Sequence, residues 1–335
     1  MPVSMSGCRR APLAFAALPA VLAALALAII APATAQGWPQ RGVKFIVPLG
    51  AGAGADIGAR LLAERLQTRW GKPVTIENRP GGDSLVGLGA FVAAADDHVL
   101  LYGPTGSFTV HPYQHEKLPY DVDTDLQPIA KISNTVLAIG VPASMGISTL
   151  KEFVARAKAE PGKFNVALVP GITEFVYDGF AHTEKVSMTK VPYRDIVQAG
   201  SDVGEGRIQF MMAALAILRP HVEGGRVKLL AVTTSAPTPV APGVPTVIEA
   251  GVPSLELEGL VGLFGPKGMA LDLRERIGAD VVAAFADPEI AAKLAATAQA
   301  VSTGGPAVLA RAMAGQTAQV DGIAKVLGIS RKLKK

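Results

Sequence analysis

Short β-rich runs alternate with helical ones along nearly the whole chain, and this alternation limits the fold more than any single motif does. KFIVPL precedes ADIGARLLAERLQTRW, whose Leu61, Leu62 and Leu66 share a helical face. PVTIEN and HVLLYG follow as buried strands, separated by a small-residue helix near 84–95. Then come PIAKISNTVLAIGV, a helix over 149–159 opened by a Thr149–Glu152 capping box, KFNVAL, KVSMTKVPY, RIQFMMA, VKLLAVT and LEGLVGLFGP. Beyond 268 the pattern is mostly helical. Such a chain builds α/β layers on largely parallel sheets. VLAIGVPASMGIS (136–148) leads out of one sheet and LEGLVGLFGPKG leads back, enclosing about 120 residues, an ordinary size for a small α/β domain. The expected division is a first lobe of 36–138 plus 259–335 and a second lobe of 139–258.

Ahead of these elements, the charges of Arg9 and Arg10 precede the apolar run APLAFAALPAVLAALALAII (11–30) and the small-residue exit APATAQ. Ala33-Thr34-Ala35 fits a signal-peptidase site, so residues 1–35 read as a cleavable signal peptide and the mature protein as periplasmic. Cys8, the only cysteine, precedes the apolar run, which argues against lipidation. The mature chain would then lack disulfides, a thiol nucleophile and Cys-ligated metal. Loss of Arg9 and Arg10 lowers the formal charge from +4 to +2. Basic residues are scattered and aromatics are only 5%, which argues against a nucleic-acid groove.

VPLGAGAGADIGAR (47–60) is a strand end, a glycine turn and a helix start, the arrangement in which backbone N–H groups hold an anion. Three readings compete. Gly50 to Ala55 satisfies the dinucleotide pattern G-x-G-x-x-G/A, with Glu77 near the expected ribose acid, which would make the chain an NAD(P)-dependent enzyme. Pro48 at the junction and the Asp56 charge at the helix start count against it. Alternatively the glycines make a tight turn that Asp56 caps. In the third reading the bare turn cradles a carboxylate. Charge-assisted hydrogen bonds contribute about 1.5–3 kcal/mol each, so three or four support affinity near the micromolar level.

The five histidines lack metal-ligand spacing, since Pro112 interrupts the His111/His115 pair. SMTK (187–190) matches S-x-x-K but reads as strand, which separates the serine and lysine. Neither an enzyme, a cofactor nor a metal is expected.

From WPQRGVKFIVPLGAGAGAD through VTIENRPGG, LPYDVDTDLQPIAKI, STLKEFVARAKAEPGKFNVAL, KVPYRD and HVEGGRVKLLAVTT to PGVPTVIEAGVP, the chain resembles the periplasmic solute-binding receptors of tripartite tricarboxylate transporters, the Bordetella uptake gene family. The resemblance covers nearly all of 36–326. It implies a hinged, two-lobed, monomeric receptor that holds an organic acid in its cleft and delivers it to membrane transporter subunits; a sensor of the same fold is the variant reading. Carried onto this chain, the first-lobe grip falls on Leu49, Gly50, Ala51, Gly52, Ala53, Gly54 and Asp56, with Thr105, Gly106 and Ser107 beside it. The second lobe would add Gly171, Thr173, Phe175, Arg194 and Ala213. Leu49, Ala53, Val176 and Ala213 or Ala214 depart from the family pattern. With Phe175, Tyr177 and Phe210 close by in sequence, they point to a ligand with a hydrophobic body, a dicarboxylate or aromatic acid, rather than citrate.

Overall fold

Strand–helix–strand units open the chain in a computed structural model that describes residues 37–168, 171–193 and 196–332, together with Met1. The expected signal peptide, Met1 apart, and Arg194 lie outside the described residues. The elements run β1 (Val43–Val47), α1 (Gly54–Trp70), β2 (Val74–Asn78), α2 (Leu85–Ala94), β3 (Val99–Pro104), α3 (Gly106–Gln114), β4 (Gln127–Thr135) and β5 (Leu137–Pro142). Next come α4 (Leu150–Ala159), β6 (Asn165–Leu168), α5 (Ile172–Glu184), β7 (Thr189–Pro192), α6 (Ile196–Gly204), β8 (Phe210–Ala214), α7 (Leu215–Glu223) and β9 (Val227–Val232). The chain closes with β10 (Gly259–Gly265), α8 (Leu271–Phe285), α9 (Pro288–Ala296), β11 (Gln299–Gly304) and α10 (Pro306–Leu327).

Two sheets result. One has the order β11-β4-β10-β3-β1-β2, the other β7-β6-β8-β5-β9. β1 pairs parallel with β2 and β3, and β6 pairs parallel with β7 and β8. The strands that carry the chain between sheets are different: β5 inserts antiparallel between β8 and β9, and β10 antiparallel between β3 and β4. PIAKISNTVLAIGV divides at Val136, a buried residue whose N–H donates to Ala298 O at 2.8 Å and whose carbonyl accepts from Leu215 N–H at 2.9 Å. One residue thus bonds to the chain just before β11 of one sheet and just after β8 of the other. The second crossing is bonded at Leu257, whose N–H reaches Thr233 O at 2.9 Å.

Local signals explain the elements. Leu62 and Leu66 of α1 are fully buried, Leu61 lies half-buried at their edge, and Gly71 ends the helix in the left-handed region that glycine adopts freely. Thr149 Oγ1 accepts from Glu152 N–H at 3.2 Å while the Glu152 carboxylate accepts from Ser148 N–H at 2.9 Å, a reciprocal cap. β11 interrupts the expected helical C-terminal stretch. Its small and polar QAVSTG lacks a β-rich signature and pairs only with β4, at the sheet edge.

Between α1 and the first sheet, Tyr102 is fully buried and its hydroxyl has no hydrogen-bond partner among the described residues. Burial pushes that phenol far above its ordinary pKa. A Cβ on Gly58 of α1 would lie 2.6 Å from the hydroxyl oxygen, so the helix carries glycine where alanine would otherwise favour it. Tyr102→Phe should therefore stabilise the protein by about 1 kcal/mol, because a buried unmatched hydroxyl costs about 1–3 kcal/mol. Gly58→Ala should destabilise the parent chain and be better tolerated in the Tyr102→Phe background. Urea titration of the four chains measures this coupling; strictly additive effects would refute the explanation for Gly58.

Candidate functional site

The glycine turn links β1 to α1 and is fixed from below. Gly52 has φ +86°, a conformation that favours glycine. Asp56 is only 1% exposed. Its Oδ2 accepts from Gly52 N–H at 2.8 Å and Arg60 Nε at 3.0 Å, and its Oδ1 from Asn78 Nδ2 at 2.8 Å and Arg60 Nη2 at 3.1 Å. Asn78 Nδ2 also reaches Leu49 O at 3.0 Å. From the other side, buried Gln299 donates to Gly54 O and accepts from Ser133 Oγ at 2.8 Å. Burial pushes the Asp56 carboxyl up, but the bonds from Arg60, Asn78 and Gly52 outweigh it and hold it below its usual range. The aspartate that would have faced an anion is turned away and neutralised. N-cap Ala53 contributes no side-chain cap, and helix geometry leaves the N–H groups of Gly54, Ala55 and Asp56 without acceptors inside α1.

This helix start borders a cavity of about 780 Å³ between the two sheets. Gly54 and Ala55 of α1, Gly106 of α3, Ile172 of α5 and Ala216 of α7 all line it, so the first turns of four helices converge there, with Ile196 of α6 beside them. Each helix N-terminus carries roughly +0.5 charge. Among the described lining residues there is no lysine or arginine. The walls are mainly apolar, with Leu49, Leu137, Val197, Ile217, Leu257 and Leu260 prominent. Glu258 also reaches the cavity, but its carboxylate is committed to Asn134 Nδ2 at 2.6 Å, Ser235 N–H at 3.0 Å and Ser235 Oγ at 2.8 Å. It thereby joins β4 of one sheet to the segment after β9 of the other.

Of the residues expected at the site, Leu49, Gly52, Ala53, Gly54 and Gly106 line the cavity. Gly50 and Ala51 are exposed and do not line it. Thr105 is fully buried, its hydroxyl donating to Gln316 Oε1 at 2.6 Å, and Ser107 Oγ donates to Asp83 at 2.8 Å. Gly171 caps α5 with φ 125°, and a Cβ there would lie 3.3 Å from the Asp83 carboxylate. Thr173 is half-buried in the first turn of α5, outside the cavity wall. Phe175 packs against Tyr113, 5.6 Å between ring centroids, while Tyr177 and Phe210 belong to a core with Phe180. The apolar lining comes instead from aliphatic side chains. Ala213 is buried in the core behind β8, and its neighbour Ala214 lines the cavity, as strand alternation requires.

Sequence reasoning does not single out Thr135, Glu258 and Gly259, although they flank the crossings that any inter-sheet cleft must border. Ser201, Ile217 and His221 lie on α6 and α7, where the local sequence carries no ligand signature. For metal, Asp96, Asp97 and His98 bring ligand-type atoms within 4.8 Å. Arg41 already holds Asp96 at 2.6 and 2.7 Å, and Asp97 lies 2.6 Å from His98 Nδ1. Glu77, the acid required by a dinucleotide site, is ion-paired to Lys44 and Arg79.

Residues 58–329 match the family described as the tripartite tricarboxylate transporter family receptor. A UPF0065 protein of Bordetella bronchiseptica is 30% identical over 275 residues, covering 82% of each chain. The R. palustris protein Rpa4515, solved with adipate, superposes with a TM-score of 0.77 at 26% identity, covering 88% of this chain and 99% of that one. MatC from Rhodopseudomonas palustris, solved with bound malate, gives 0.72 at 25% identity, covering 85% and 99%.

Because Asp56 has a lowered pKa in the fold, its contribution is fully present above the unfolded value of 3.8 and is lost as pH falls through the folded value. Asp56→Asn should cost about 1–3 kcal/mol at neutral pH. It should also flatten the acid limb of the stability–pH curve, measured by denaturant unfolding. A variant curve that overlays the parent would remove Asp56 as the anchor of the turn.

Proposed function

The chain belongs to the tripartite tricarboxylate transporter receptor family of periplasmic solute-binding proteins, and from that premise we propose that it captures an organic carboxylate with an apolar body and delivers it to a membrane transporter. The observation that carries this reading is the convergence of four helix starts on a cavity without a lysine or arginine among its described lining residues. Main-chain N–H groups and helix dipoles can replace the hydration of one anionic headgroup. The aliphatic walls suit the remainder of the ligand, at about 25 cal/mol per Å² of apolar surface buried. Relatives solved with adipate and malate are in keeping with a carboxylate. The mature protein would act in the periplasm as a monomer after removal of 1–35. No helix among the described residues is long and apolar enough to cross a membrane.

We read the two sheets as two lobes, 36–138 with 259–335 and 139–258, hinged at Val136 and at the crossing around Leu257. Closure would give the transporter a means of telling loaded from empty receptor, because a ligand shifts the equilibrium only by its differential affinity for the closed form. The contact of α3 with α5 supports this. A Cβ on Gly106 would lie 2.6 Å from Ile172 Cγ2, so only glycine lets these two helix starts meet.

Calorimetric titration with aliphatic and aromatic monocarboxylates, dicarboxylates and citrate tests the ligand class. Micromolar binding of acids with apolar bodies and weak binding of citrate are expected; binding of citrate alone, or of nucleotides and no acid, would overturn the reading. Gly106→Ala should lower affinity for such an acid at least tenfold with little change in stability, and adding Ile172→Ala should recover part of it. Unchanged affinity in Gly106→Ala would show that this contact plays no part in closure.

A further inference from the structure

On the side of the cavity formed by α6 and α7, the wall contains an unusually placed histidine. His221 is 8% exposed and lines the cavity with Ile217, one helical turn earlier on α7, and with Val197 and Ser201 of α6. Its ring lies against Gly200 and Gly204. Cβ atoms at those positions would come within 3.2 Å of Nε2 and 3.4 Å of Nδ1, so both small residues make room for the imidazole.

Arg226 Nη2 stands 2.9 Å from His221 Nδ1. A guanidinium has only donors, so Nδ1 must accept and the ring proton of the neutral imidazole sits on Nε2. No acceptor for that N–H lies within hydrogen-bond reach among the described residues. That N–H is therefore free of partners among the described residues, and a ligand oxygen in the cavity would accept from it. The Arg226 charge one bond behind the ring further strengthens the donor. The Ser201 hydroxyl lines the same wall. The cavity volume of about 780 Å³ falls within the roughly 300–1,000 Å³ that accommodates drug-sized ligands, leaving room beyond a small headgroup.

We propose that His221 is a specificity residue. It reads a hydrogen-bond-accepting oxygen at the end of the ligand remote from its anchored carboxylate, with Ser201 beside it and an aliphatic channel between. The ligand class is then an extended organic acid with an apolar middle and a distal oxygen, such as a keto group. The inference rests on the carboxylate reading above and adds a second polar contact to it.

The test compares straight-chain monocarboxylates of six to ten carbons with the same acids carrying a ketone next to the terminal methyl. Titration calorimetry should find the keto acid bound about threefold to tenfold more tightly at the best-fitting length, the value of one hydrogen bond. His221→Phe should abolish that preference while retaining the simple acid. Equal binding of keto and simple acids at every length, or a preference that persists in His221→Phe, would overturn the role of His221 and leave the carboxylate reading intact. Failure of every acid to bind would overturn both. If His221→Phe does not fold by circular dichroism, the parent series decides the matter alone, since it needs no substitution.

Discussion

Asp56 lies beneath the glycine turn, where its carboxylate accepts hydrogen bonds from Gly52, Arg60 and Asn78 at once. The arrangement settles two matters. It removes a negative charge from the mouth of α1, and it holds Gly52 in a left-handed conformation so that α1 begins at Gly54 with its first amides unbonded within the helix. Gln299 fixes the carbonyl side of Gly54. The turn is therefore held by hydrogen bonds from both sides, and such preorganisation lowers the entropic cost of binding.

The rest of the site depends on having two sheets. A single strand–turn–helix unit offers one positive helix end; here four helix starts, from both halves of the fold, border one space. Under the proposed function their combined field would hold an anion without a lysine or arginine among the described lining residues, and aliphatic side chains fill the remaining wall. The crossings keep the two halves in register through Val136 and through Glu258, which bonds to Asn134 on one side and Ser235 on the other. Membership of the receptor family fits this plan of two sheets with a pocket between them.

The alternation of β-rich and helical runs is enough to read the layers, the two crossings and the position of the glycine turn from sequence. The direction of Asp56 is not readable there. Arg60 is visible four residues on, but Asn78 arrives from the end of the next strand and only the fold brings it close. The phase of β8 is lost by one residue: Ala213 packs into the core while Ala214 faces the cavity. Aromatic side chains near the second-lobe loop suggest an apolar pocket, yet Phe175, Tyr177 and Phe210 satisfy one another and other core rings instead. The α6–α7 wall escapes a reading of the sequence because His221 acquires its meaning from Arg226, Gly200 and Gly204, which only packing assembles.

The central claim is that an organic carboxylate rests on the first amides of α1. ¹H–¹⁵N spectra recorded while the protein is titrated with octanoate test it most directly. The amide protons of Gly54 and Ala55 should move downfield in step with occupancy, while that of Gly52, already bonded to Asp56, should stay in place. Saturation by the acid with Gly54 and Ala55 unmoved would contradict the account.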